Sequence, residues 1–122
     1  MRLSLQLSLL LFSLQLPLSA LAAPELTAEY LEGRWCLESM DFGGAPEPEN
    51  RNWQFEPDGH FFHQNSVMSS EMSHGGQWLI EEGRLQIKPV YLGGFQRVTV
   101  ESESRFVFHW SADMNIKRGP CP

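Results

Sequence analysis

Most of the residue patterns that mark an enzyme are missing from this chain. There is no Gly-x-Ser-x-Gly elbow, and no Ser, His and Asp set at a spacing that suggests a triad. Glycine occurs in isolated doublets at turn signals, Gly43-Gly44, Gly75-Gly76 and Gly93-Gly94, so no phosphate-cradling loop is present. Glu81-Glu82 occupy a turn, and Glu101 and Glu103 share an outward face, so neither pair reads as an acid and base converging on a cleft. These absences predict a non-enzyme with no cofactor. Basic charge is also scarce: 9 Lys and Arg stand against 15 Asp and Glu, a net charge of −6. Nucleic acid and anionic membrane surfaces should repel such a chain. No run of like charge is long enough for a binding tail, and the acidic surplus reads as a solubility feature.

One apolar-rich run is present, Leu3 to Leu16, preceded by Met1 and Arg2 and ended by Pro17. Ala20-Leu21-Ala22 then supplies the small residues that a signal peptidase requires. Cleavage is expected after Ala22, because cutting after Ala23 would put Pro24 at the first mature position. A retained anchor fits less well, since about fourteen such residues fall short of the roughly 20 that span a bilayer. No cysteine follows the site to accept a lipid. The expected organisation is a signal peptide at 1–22 and a single domain at 23–122, periplasmic or secreted, with no membrane span after cleavage. Loss of Arg2 leaves eight basic residues of the nine, against the same 15 acidic ones.

Cysteine is used twice, at Cys36 and Cys121. In an exported chain an even count suggests pairing, and two thiols allow one intramolecular connectivity. Closing a loop of roughly 85 residues stabilises by about 4 to 5 kcal/mol in the loop-entropy model. That is a large share for a domain this small. Two free thiols or a cysteine ligand pair are the alternatives, and an oxidising compartment disfavours both.

From Trp35 onward the apolar pattern has a period of two. Trp35, Leu37 and Ser39 alternate with Cys36, Glu38 and Met40; Trp53 and Phe55, Trp78 and Ile80, Leu85 and Ile87, Val98 and Val100, and Phe106, Phe108 and Trp110 continue it. Asp58-Gly59, Glu82-Gly83, Gly93-Gly94, Ser102 to Ser104 and Ser111 to Asp113 read as turns between them. Strands at this spacing suggest a meander closed into a barrel, or two packed sheets; the expected fold is all-β, an antiparallel up-and-down barrel of about eight short strands of about six residues. Two segments depart from this. Pro24 to Glu32 has Leu26, Tyr30 and Leu31 at helical spacing with Thr27 as cap, predicting a short N-terminal helix. Gly43 to Asn50, with two prolines, reads as an exposed connection.

Three of the four histidines and two of the five methionines fall between His60 and Gly76. His60 and His63 are three apart, which on a strand sends them to opposite faces and makes a poor chelate. Continuing the pattern of Trp53 and Phe55 through the turn puts Phe61 and His63 inward, His60 and Phe62 outward. Met68, Met72 and His74 could fold around a soft ion, copper above all. The plainer reading is a loop rich in serine and methionine. His109, alternating with Phe108 and Trp110, should be outward and solvated.

The stretches "LEGRWCLES", "WQFEPDGHFF", "GGQWLIEEGRLQI" and "IKRGPC" resemble the small exported lipocalin-like, calycin-type domains of bacteria, over essentially all of residues 23–122. The resemblance implies that Trp35 of Gly33-Arg34-Trp35 lies across the barrel floor with Arg118 of the last strand packed over it, a pairing that suits cation-π attraction. Full lipocalins are longer, with a deep cup, whereas the aromatics here could fill a small interior outright. Three functions follow as expectations. The first is a binding or interaction module, expected to be monomeric, taking a small apolar ligand near His63, Phe61, Trp53 and Trp78 or touching an exported protein through the rim loops, Gly43 to Asn50 and Asn65 to Gly76. The second is an exported inhibitor of a protease or lysozyme that inserts residues 23–32 into its target. The third is a copper-binding protein using Met68, Met72 and His74.

Overall fold

The computed structural model describes residues 23–122; the expected signal peptide at 1–22 lies outside the described residues. A one-turn helix, α1 (Ala28–Leu31), leads into eight strands: β1 (Gly33–Asp41), β2 (Glu47–Phe55), β3 (His60–Gln64), β4 (Met72–Glu81), β5 (Arg84–Pro89), β6 (Tyr91–Ser102), β7 (Arg105–His109) and β8 (Asp113–Arg118). Each strand pairs antiparallel with the next, and β1 pairs with β8, so the sheet closes into an up-and-down barrel with no free edge. Among the described residues no helix is long and apolar enough to cross a membrane.

Strand direction divides the molecule into a floor and a rim. The odd-numbered strands run from floor to rim, so residues 42–46, 65–71, 90 and 110–112 connect strands at the rim. Helix α1 sits at the floor, where Thr27 Oγ1 accepts the Tyr30 amide N–H at 3.1 Å and caps the turn.

Alternation fills the interior because large apolar side chains recur at alternate strand positions. Trp35, Leu37, Trp53, Phe55, Phe61, Leu85, Ile87, Phe106, Phe108, Met114 and Ile116 are fully buried. Their rings pack edge to face: Trp35 against Phe106 at 4.8 Å, Trp53 against Phe61 at 5.3 Å and Phe55 against Trp78 at 5.6 Å between centroids. Such pairs add about 1 kcal/mol each beyond the area they bury.

Three expectations need correction. Met40, not Ser39, continues the buried face of β1, because a bulge after Leu37 advances the phase by one and leaves Ser39 to accept from Asn115 Nδ2. Neither Gly75-Gly76 nor Gly93-Gly94 is a turn: the first lies inside β4, and the second inside β6, where Leu85 pairs with Gln96 but Ile87 pairs with Tyr91, so several extra residues bulge out of the ladder. Glu47 to Asn50 belong to β2, with Pro48 opposite Ser39, and only residues 42–46 form the connection. The strands are also longer than expected in places, 9 residues in β1 and 12 in β6.

Candidate functional site

At the floor every polar group of the Trp35 neighbourhood has a partner. The Trp35 indole N–H donates to the Leu31 carbonyl at 2.7 Å, and the Tyr30 hydroxyl reaches the Ser102 carbonyl at 2.8 Å. The Arg118 guanidinium lies 4.1 Å above the Trp35 ring and 5.0 Å from that of Tyr30, while donating to the carbonyls of Glu103 and Tyr30 at 2.9 Å each. Burial pushes the Tyr30 hydroxyl up to about 12, although the Arg118 charge opposes the shift. Beside this cluster Cys36 and Cys121 form a disulfide with a Cα separation of 4.9 Å, and the Cys121 amide donates to Asn52 Oδ1 at 2.8 Å. This end of the barrel is built for stability.

The four residues expected to line a ligand are engaged in packing instead of facing one space. Trp53 and Phe61 are fully buried and touch each other, and Trp53 also meets Tyr91 at 5.4 Å. Trp78 lies toward the floor, its indole N–H donating to the Glu56 carbonyl at 3.0 Å. His63 is half-buried, stacked 5.7 Å from Phe61, and Gly75 makes room for it: a Cβ there would lie 2.7 Å from the imidazole. Desolvation, helped by the charge of Arg51, holds the His63 imidazole below its ordinary value of 6.5, so it favours the neutral form. Arg51 pairs with Glu49 and leaves its buried Nε without a partner. Desolvation pushes Tyr91 up to about 12 against the opposing Arg51 charge.

The rim is different. Phe42 is 61% exposed, Val67 62% and Met68 90%, all on rim connections. Such side chains in water are the usual mark of a contact surface when several share one end of a molecule. The connection carrying Val67 and Met68 is nevertheless held in place. Buried Gln64 accepts from the amide N–H and the side chain of Asn52, at 3.0 Å each, and donates to the carbonyls of Ser66 and Ser69 at 2.9 and 2.7 Å. Sequence reasoning passed over Gln64, since a lone glutamine at a strand end carries no signal until the register places Asn52 beside it.

Met68, Met72 and His74 do not share one element: Met68 projects from the rim, Met72 opens β4 opposite Gln64, and His74 sits on the outer face of β4 opposite Phe62. His74 instead meets His60, with His60 Nδ1 and His74 Nε2 2.9 Å apart. His109 also departs from the solvated reading. Its two nitrogens lie 2.8 Å from Asp113 Oδ1 and 2.8 Å from Thr99 Oγ1. Among the described residues there is no cluster of three or more His, Cys, Asp and Glu able to hold a metal ion.

No family model, curated protein or solved structure matches this chain. Architecture alone therefore defines its class: a small, closed, eight-stranded antiparallel barrel, lipocalin-like in outline, with a packed interior and a disulfide at the floor.

Proposed function

We propose that this protein is a non-catalytic interaction module that grips another protein through its rim. The observation that carries the reading is the exposure of Phe42, Val67 and Met68 at one end of a barrel whose interior rings already fill it. Three apolar tips suit an apolar depression on the partner. Exposed Glu47, Glu71 and Asp113 at the same end favour basic residues around that depression. The disulfide is compatible with an oxidising compartment, hence with an exported chain and partner.

A hollow carrier is the weaker alternative, because Trp53 and Phe61 would have to give up their mutual packing to admit a ligand. Inhibition by insertion of residues 23–32 would require unseating α1, whose Tyr30 and Leu31 are buried, together with Leu26 ahead of it, which packs against the core. Photo-crosslinking separates these readings: a photoreactive residue at Met68 should give a discrete protein adduct in exported fractions, and one at outward Leu79, near the floor, should not. Equal adducts from both positions, or none from Met68, would remove the proposal.

A further inference from the structure

We infer that His60 and His74 form a bidentate site for a divalent transition-metal ion that favours imidazole, Cu(II) foremost, on the outer face of the barrel. The site is independent of the rim. His60 pairs with Gln77 and Phe62 pairs with His74, so one residue more separates the β4 partners than the β3 partners. That bulge falls at Gly75-Gly76. Gly76 has φ +119°, and a Cβ on it would lie 2.0 Å from the Lys88 carbonyl oxygen, so only glycine fits. The bulge brings the two imidazoles diagonally together, with centroids 5.0 Å apart, while Phe62 packs edge-on against His74 at 5.2 Å.

The separation of the two nitrogens suits donors to a single ion. Two donors about 2.0 Å from a metal and cis on a square plane are about 2.8 Å apart, whereas tetrahedral donors at that bond length are about 3.3 Å apart. The observed 2.9 Å is an ordinary hydrogen-bond length, so the two nitrogens already lie as close as cis donors to one ion must, and the affinity order of divalent ions for imidazole puts Cu(II) first. Without metal, one imidazole donates its N–H to the lone pair of the other. When both nitrogens bind the ion, the donor ring carries its proton on its far nitrogen instead, so no net proton is released by a neutral pair.

Two protein ligands leave the remaining positions to solvent or an exogenous donor. An outer-surface groove of about 410 Å³, lined by His74, Gly76, Gln77, Lys88 and Pro89, gives them room. Lys88 favours an anionic donor there. The pair needs no thioether: Met68 stands out on the rim, and Met72 opens β4 opposite Gln64.

The test is titration of the full disulfide-bonded chain with Cu(II), and separately Ni(II), followed by calorimetry and by electron paramagnetic resonance for copper. One ion per chain should bind, with hyperfine structure from two imidazole nitrogens. His60→Ala and His74→Ala should each weaken it by about tenfold or more, and Met68→Leu with Met72→Leu should leave it unchanged. Thermal melts of both histidine variants without metal check that they fold. Absence of saturable binding, survival of binding in His60→Ala, or its loss in the methionine variant would each overturn the site.

Discussion

Floor and rim are made from the same eight strands, yet they treat their exposed and polar groups in opposite ways. At the floor the charge of Arg118, the hydroxyl of Tyr30 and the indole N–H of Trp35 all find partners, and the disulfide ties the last residues to β1. At the rim Phe42, Val67 and Met68 stand in water. Concentrating cohesion at one end leaves the other end free to carry side chains that contribute little to folding, the division expected when a rigid scaffold presents variable loops.

The largest effect should come from the floor. Cys36→Ser with Cys121→Ser opens a loop spanning a sequence separation of 85, which the loop-entropy model values at about 4 to 5 kcal/mol. For a domain of this size that approaches the whole stability. Urea denaturation of the double variant against the oxidised parent measures it. A loss under about 1 kcal/mol would mean that the barrel closes without its staple and that floor and rim are less unlike than described.

Those floor residues were the most legible in the sequence. Two cysteines admit one pairing, and period-two alternation from Trp35 to Trp110 specifies half-buried strands, whereas closure into a barrel rather than two packed sheets is settled by the β1–β8 pairing. What escaped reading depends on register. The bulge after Leu37 carries no residue type that marks it, and the glycines of the bulge at Gly75-Gly76 read equally as a turn, so Met40 replaces Ser39 in the core and His74 meets His60 rather than the methionines. The long bulge in β6 hid a strand behind a glycine doublet that ordinarily marks a turn. Whether the interior is hollow was equally unreadable, because filling depends on how the Trp53, Phe55 and Phe61 rings tilt toward one another.

An intermediate effect should arise where the two ends are joined. Gln64 links the rim connection to Asn52, and Asn52 accepts from Cys121. Gln64→Leu keeps the volume roughly constant but strips partners from the Asn52 amide and from the carbonyls of Ser66 and Ser69. Leaving such groups unmatched costs about 1 to 3 kcal/mol. Amide hydrogen exchange should accelerate across residues 65–71 while the floor strands keep their protection. Uniform acceleration would show that rim and floor open as one unit.

The smallest effect on stability belongs to the rim itself, and that smallness is the sharpest form of the contrast. Phe42 and Met68 leave most of their surface in water in the folded chain, so replacing both with serine removes little that folding had buried. Phe42→Ser with Met68→Ser should change the unfolding free energy by less than about 0.5 kcal/mol, as for surface positions generally. The same double variant should lose the crosslinked partner. Apolar side chains that fold neither the chain nor its loops, yet are needed for contact, are accounted for by binding alone. If the double variant instead lost about 2 kcal/mol, the rim would be a second structural layer, and the contact surface would have to be sought on the outer wall.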